Sequence, residues 1–268
     1  MLSRRHAVLV TAFLVFLSGS RQAFAQADEI QVYDGGLAPV GTFNLTVHNN
    51  FIARGLREPA FPGSVVAHRS VNGVPEWAIG VTNWFEAGLY LPLYSRDKDG
   101  GFGLDGFKLR TLFAVPNADD RRFVYGANFE FSYNAKRWDT TRFTSEIRPI
   151  IGWHLKGWHL KPVDIIFNPI VDTSYDGFGN AVFAPSVRVA YNASPVWAVA
   201  IEEYADHGPF HQFHSRSDQS HQLYLVVDRA GRQWDIEAGI GAGLTHGADG
   251  LTLKLIVARD LKSFRKKP

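Results

Sequence analysis

Apolar and polar residues alternate one by one along most of this chain, from residue 42 to residue 260. In the stretch Phe123-Val-Tyr-Gly-Ala-Asn-Phe-Glu-Phe-Ser-Tyr133, the odd-numbered residues are apolar or aromatic, whereas the even-numbered ones include Asn128 and Glu130. Successive side chains of a strand point to opposite faces, so this pattern places one face in an apolar medium and the other in a polar one. The alternation predicts an all-β protein.

Twelve segments share this alternation, and most are close to the length of about 9–11 residues that a tilted membrane strand needs. They are 42–52, 74–83, 85–95, 105–116, 121–133, 143–154, 160–172, 181–192, 195–206, 221–229, 232–245 and 250–260. In the third segment, we expect one outward face made of Phe85, Ala87, Leu89, Leu91 and Leu93.

The connections between these segments are alternately long and short. Short turns at one end and longer loops at the other are typical of outer-membrane barrels. We therefore expect a closed antiparallel transmembrane β-barrel of about 12 strands, an up-and-down meander over residues 42–260. Tryptophans near the strand ends, such as Trp77, Trp153 and Trp234, are expected at the membrane interface. A water-soluble sandwich or barrel is the alternative, because it also alternates.

The first residues have the pattern of a secretory signal peptide. Arg4 and Arg5 precede an apolar run from Ala7 to Ser18, and Ala23-Phe24-Ala25 supplies small residues for cleavage. This run is shorter than the roughly 20 residues of a membrane-spanning helix. We expect a signal peptide over residues 1–25, a periplasmic lead over 26–41 and a basic tail over 261–268. We therefore expect the protein to be exported and inserted into the bacterial outer membrane.

Composition excludes several classes of site. The chain has no cysteine, so disulfides and thiolate metal sites are excluded. The formal net charge is +2, but the basic residues gather in the predicted signal peptide and tail, which leaves an acidic body. A nucleic-acid partner is therefore not expected, because phosphate binding needs a clustered basic face. We expect no cofactor. The expected partners are outer-membrane lipid, a small-molecule solute and, during biogenesis, periplasmic chaperones and the barrel-assembly machinery.

The charged residues of the strands fall on the predicted inward face. A Lys or Arg on the lipid side near the midplane would cost about 2–4 kcal/mol. Several of these residues lie on neighbouring strands at similar height and form a candidate lumen charge cluster: Lys108, Arg110, Glu130, Glu146, Arg148 and Glu202. Two interpretations stay open. The cluster is either a selectivity constriction or a static ion-pair filling of a narrow, closed barrel.

Three prolines interrupt consecutive predicted strands. Pro149, Pro169 and Pro185 each remove one donor from the hydrogen-bond ladder. If the three breaks lie at one height, the wall has a lateral gap through which a hydrophobic solute passes into the lipid. The alternative is that a bulge or twist absorbs each proline.

A histidine-rich loop follows the ninth predicted strand. We expect no metal site in it, although His207, His211 and His214 are candidate ligands for Zn or Cu, since imidazole suits both metals. A solvated loop is the expected interpretation, and a metal site is the alternative. His214-Ser215 and His221 also supply the residue types of a hydrolase, but without a nucleophile motif, so we expect no enzyme.

Four stretches carry a family resemblance. Gly80-Val-Thr-Asn-Trp-Phe-Glu-Ala-Gly-Leu-Tyr-Leu-Pro92 resembles the first hairpin of the meta-pathway phenol-degradation family of proteobacterial outer-membrane transporters, and Gly106-Phe-Lys-Leu-Arg110 resembles its following strand. Phe43-Asn-Leu-Thr-Val-His-Asn-Asn50 and Arg148-Pro-Ile-Ile-Gly-Trp-His154 extend the similarity. The resemblance implies an importer of small, aromatic or hydrophobic molecules and carries over no catalytic residue.

The sequence thus predicts a channel or transporter for the uptake of small solutes. The alternative function is a structural or adhesive outer-membrane barrel with a blocked lumen, whose surface loops contact ligands.

Overall fold

The computed structural model describes residues 29–157 and 160–261. Its strands are β1 (Phe43–Arg54), β2 (Ser70–Gly80), β3 (Phe85–Arg96), β4 (Phe102–Ala114), β5 (Phe123–Asn134), β6 (Phe143–Gly157), β7 (Leu160–Asn168), β8 (Val171–Thr173), β9 (Val182–Phe183), β10 (Ser186–Asn192), β11 (Trp197–Asp206), β12 (Ser220–Arg229), β13 (Asp235–Gly243) and β14 (Leu251–Asp260). Single 3-10 turns occupy Ala118–Asp120 and Phe178–Asn180. Within the described ranges, the chain has no helix long and apolar enough to cross a membrane.

The strands close into a ring. Neighbours along the chain pair with each other in antiparallel fashion, and β1 pairs with β14 to complete the circle. Two strands of the ring are each broken once: β7 and β8 are pieces of one strand, and β9 and β10 are pieces of the next. Counting each broken strand once gives 12, so the predicted barrel, its closure and its meander order are confirmed.

The predicted alternation also matches the two faces of the wall. In β5, Phe123, Tyr125 and Phe131 are 45–57% exposed on the outside, whereas Asn128 and Glu130 are buried inside. Lipid offers no hydrogen-bonding partner to a strand edge, so closure satisfies the backbone while apolar side chains cover the exterior. The expected interfacial tryptophans Trp77, Trp153 and Trp234 lie on that exterior as well.

The alternation slips where two strands bulge. The pairing of β2 with β3 shifts register between Gly73 and Glu76, and β3 shifts against β4 between Tyr90 and Leu93. An extra residue in a strand reverses the faces of the residues that follow it. Leu93, expected on the outward face, is therefore fully buried inside, where it packs against Val74 and Tyr90.

The lead expected over residues 26–41 is described from Glu29. From Glu29 onward it lies inside the lumen, where Glu29, Ile30, Val32 and Tyr33 are all less than 9% exposed. The segment brings apolar and aromatic side chains, which the lumen buries. We call residues 29–40 the lumen segment. The predicted signal peptide, and the tail beyond Leu261, lie outside the described residues.

Candidate functional site

The inward face of β2, β3 and β4 holds the first buried ion-pair group. The guanidinium of Arg110 lies 2.7 Å from a carboxylate oxygen of Glu76 and also binds Glu86, and all three side chains are at most 7% exposed. Gly88 stands opposite Arg110 in the ladder, and a side chain there would collide with the guanidinium. This glycine therefore provides the space in which Arg110 reaches across to β2.

A second arginine projects from β6. Arg148 donates two hydrogen bonds to Glu146, at 2.6 and 3.0 Å, and lies 3.6 Å from Glu29 of the lumen segment. Nearby, Lys108 of β4 pairs with Glu130 of β5 at 3.3 Å. Because these pairs are buried, each charge depends on its partner for stability in the lumen.

The opposite wall carries a separate group, which we call the lysine cluster. Lys254 of β14 binds Glu202 and Glu237, the latter at 2.6 Å, with its own side chain fully buried. Arg188 of β10 binds Glu202 and Asp228 and lies 3.6 Å from Glu237. Two cations thus share three carboxylates.

The predicted charge cluster is therefore divided. Lys108, Arg110, Glu130, Glu146 and Arg148 line one side of the lumen, as their positions on neighbouring strands indicated. Glu202 belongs instead to the lysine cluster, on the other side, because β11 lies far around the ring from β4. The structure supplies each charge of the prediction with an opposite partner.

The lumen segment runs between these two groups, and three hydrogen bonds from or to wall side chains hold its backbone. Lys254 donates a hydrogen bond to the carbonyl of Ile30 at 3.1 Å, and Arg148 donates one to the carbonyl of Gln31 at 2.9 Å. Farther along, the backbone N–H of Ala38 donates to Glu86 at 2.6 Å. The contacts come from β14, β6 and β3, which lie on different sides of the ring, so the segment occupies the lumen itself.

Tyr33 is a buried residue of this segment, with 5% of its surface exposed. Its ring lies 4.4 Å from the Arg148 guanidinium carbon and 5.5 Å from that of Arg110, while its hydroxyl group is hydrogen-bonded to that of Tyr90. Both distances are within the range of a cation–π contact. The side-chain oxygen of Asn168 accepts from the N–H of Tyr33 at 2.7 Å, and its amide donates to the carbonyl at 3.0 Å.

A polar cavity of about 260 Å³ lies beside the lumen segment, at the barrel end where the segment enters. Asp34, Asp119 and Asp260 line it together with Glu76 and Arg110. The cavity lies between the segment and strands β1 to β4, and Asp119 and Asp260 complete its lining.

The three prolines lie at one height of the wall. Pairing of β5 with β6 continues without interruption past Pro149. On its other edge, β6 pairs with β7 as far as Ile151 and with β8 from Ile147. The gap between these two sets of pairs lies opposite the break that contains Pro169.

The break continues into the next strand at Pro185. One hydrogen bond, from the N–H of Ala184 to the carbonyl of Ile170 at 3.0 Å, spans it, and the N–H of Ala205 donates to Pro185 at 3.0 Å. Asn168, which holds Tyr33, is the residue immediately before the break.

The histidine loop gives its members separate contacts. His207 is hydrogen-bonded to Gln219, and His211 to the carbonyl of Gly179, while His214 donates its backbone N–H to His207. Over residues 29–157 and 160–261, no three His, Cys, Asp or Glu side chains are gathered as a metal site. The loop instead packs against aromatic rings: Phe183 stacks on His207 at 5.6 Å between centroids, and Phe210 on Phe178 at 5.1 Å.

The residues that sequence reasoning missed are those that contact the lumen segment: Tyr33, Tyr90, Asn168 and the backbone of Ile30 and Gln31. One signal was present. Glu29-Ile-Gln-Val-Tyr33 alternates polar and apolar residues as the strands do, which is typical of an extended segment with two different environments.

Comparison with known proteins identifies the fold. No protein-family model and no curated protein matches the chain. A solved COG4313 outer membrane channel from Pseudomonas putida F1 is similar with a TM-score of 0.58 at 13% identity, over 87% of this chain and 100% of that one. The translocator domain of the autotransporter NalP from Neisseria meningitidis matches at 0.45 and 9% identity, over 96% of both chains. The outer membrane channel DcaP of Acinetobacter baumannii matches at 0.37 and 8% identity, over 82% and 96%. The first likeness shows that the chain has the fold of an outer-membrane β-barrel.

Proposed function

We propose that this protein is an outer-membrane channel for the uptake of small solutes, and that the lumen segment closes it at rest. One observation carries the proposal. A closed barrel with a charged, polar interior is filled by a segment of its own chain, which is held by hydrogen bonds to wall side chains and by packing of Ile30 and Tyr33 against apolar wall residues. These contacts lie outside the hydrogen-bond ladder of the strands, so the segment can leave without breaking the ladder.

The fold supports this proposal. The Pseudomonas putida protein that shares it is described as an outer membrane channel. Kinship with the meta-pathway phenol-degradation family, and biogenesis through periplasmic chaperones and the barrel-assembly machinery, belong to the same proposal. They rest on the hairpin resemblance around Gly80–Pro92 and on the barrel fold.

Conductance in a planar lipid bilayer tests the proposal. The experiment compares the wild-type protein with a variant that lacks residues 29–40, after both are shown to be folded by resistance to SDS at room temperature. We expect low conductance from wild type and large, discrete steps from the deletion variant. A lipid-facing substitution, Leu253→Met, is the control and should conduct as wild type does.

The outcomes of the conductance experiment test the channel function and its closure separately. Silence from a folded deletion variant would contradict the channel function. Equally large steps from both proteins would retain the channel and contradict closure by the lumen segment.

A structural or adhesive barrel is the second candidate. The filled lumen favours it, and so does the group of rings on the loops, where Phe178 and Phe213 are 78% and 48% exposed. Replacing both by serine should then abolish binding of cells or ligands at the surface. If the protein is instead a channel that opens when the lumen segment leaves, the same double variant should leave solute uptake unchanged.

Lateral exit of hydrophobic solutes at Pro149, Pro169 and Pro185 is a further part of the channel proposal. The common height of the three prolines supports it, because the break faces lipid outside and the Tyr33 backbone inside.

A further inference from the structure

We propose that the part of the lumen filled by residues 29–38 is a binding site for an extended peptide, and that short peptides with an aromatic side chain are solutes of this channel. The inference rests on the proposed channel function and names its solute class.

The recognition is of peptide backbone. Lys254 and Arg148 bind the consecutive carbonyls of Ile30 and Gln31 from opposite walls. Consecutive carbonyls of an extended chain point in opposite directions. Two cations on facing walls therefore fit the backbone of an extended peptide that passes between them.

Asn168 provides a second contact to the backbone. Its amide makes both an accepted and a donated hydrogen bond with Tyr33, at 2.7 and 3.0 Å. This is the pair of bonds that a neighbouring strand residue makes in a ladder, supplied here by one fully buried side chain. A free phenol or alkane has no N–H and C=O to form hydrogen bonds with the side-chain oxygen and nitrogen of Asn168, whereas a peptide backbone has both.

One pocket selects a side chain. The Tyr33 ring lies beside two guanidiniums, and its hydroxyl group meets that of Tyr90. Cation–π contact favours an aromatic ring at this place. Both guanidiniums are already compensated by carboxylates, so the ring itself, rather than a negative charge on it, is what the pocket attracts.

The test uses the protein without residues 29–40 and the capped peptide acetyl-Glu-Ile-Gln-Val-Tyr-Asp-Gly-Gly-amide, which repeats residues 29–36. Calorimetric titration of the detergent-solubilised variant measures binding, and block of its conductance measures occupation of the lumen. We expect saturable binding with one site per barrel, and block over the same concentration range.

Matched peptides separate the two elements of recognition. Methylation of the tyrosine backbone nitrogen removes the bond to Asn168 and should weaken binding about tenfold, the typical effect of one hydrogen bond. In the Asn168→Ala variant, methylated and unmethylated peptides should bind alike. Replacing the peptide tyrosine by alanine should also weaken binding, and p-cresol should bind far more weakly than the peptide.

Absence of peptide binding to the folded deletion variant would overturn the inference. So would p-cresol binding as tightly as the peptide, because the ring alone would then be the ligand. Calorimetry does not depend on ion flow, so a variant that binds peptide but never conducts refutes the channel function and leaves the peptide site standing. If the deletion variant does not fold, full-length Tyr33→Ala protein replaces it in the same titrations.

Discussion

Lys254 is the more buried of the two cations in the lysine cluster, and its replacement by methionine is the sharpest test of the lumen chemistry. The Lys254 side chain is 0% exposed, as is that of Glu202, and Glu237 is 18% exposed. In the lysine cluster, Lys254 and Arg188 contribute two positive charges against three carboxylates, a balance of −1. Lys254→Met makes that balance −2.

The expected cost follows from burial. Removing one partner of a buried ion pair costs about 3–5 kcal/mol, because the remaining charge is left without compensation. Glu202 keeps Arg188, so most of the cost falls on Glu237, whose distance to Arg188 is 3.6 Å. The double variant Lys254→Met/Glu237→Gln restores the balance to −1 and should recover a large part of the loss.

Urea unfolding of the refolded protein in lipid vesicles, followed by tryptophan fluorescence, gives the free energies by linear extrapolation. Leu253→Met, the next residue on the lipid face of β14, is the matched control and should cost less than about 1.5 kcal/mol. Lys254→Met also removes the bond to the Ile30 carbonyl, so its bilayer conductance should exceed that of wild type.

A free energy of unfolding for Lys254→Met within about 1 kcal/mol of that of wild type, with no further change on adding Glu237→Gln, would contradict this cost. That result would place the cluster among water-screened ion pairs, which contribute little.

Three further predictions concern the wall and the loops. Pro169→Ala returns a ladder donor at the break and should slow uptake of hydrophobic solutes while ionic conductance stays the same; equal uptake by both proteins would argue against a lateral exit. Burial raises the pKa of the Asp249 carboxyl group, although this group accepts a hydrogen bond from the N–H of Leu56 at 2.9 Å. Ionisation of Asp249 therefore destabilises the folded protein. Its contribution to the free energy of unfolding falls as the pH rises above the usual aspartate range. The unfolding temperature should therefore decline less between pH 4 and 7 in Asp249→Asn than in wild type, and identical profiles would contradict this. Titration with Zn should show no saturable heat, because His207 and His211 have separate partners, and saturable binding lost on replacing them would refute that.

The strands were predictable because the alternation is a local property of the sequence. The wall of a membrane β-barrel is one strand thick, with lipid on one side and a polar lumen on the other. Each strand therefore alternates apolar and polar residues to match these two environments. Phe123 to Tyr133 lies with its aromatic residues outside and Glu130 inside, as its sequence indicates. The inward position of Lys108, Arg110 and Arg148 followed for the same reason.

Partners across the lumen were not predictable in this way. Glu202 was grouped with Arg148 because both are charged and inward, but only the closure of the ring decides which inward residues meet. The bulges beside Tyr90 likewise reverse the face of Leu93. A shift of one residue leaves the local pattern almost unchanged and alters every contact after it.

The sequence by itself determined a barrel with a polar, charged interior, because each strand carries the two-sided pattern independently of the others. Only the tertiary structure decided what fills that interior. Residues 29–40 are too short and mixed in character to show where they lie, and their position depends on Lys254, Arg148, Asn168 and Glu86, which the closed ring brings around them. Long-range contacts from four strands hold the segment, and no local pattern encodes contacts of that kind.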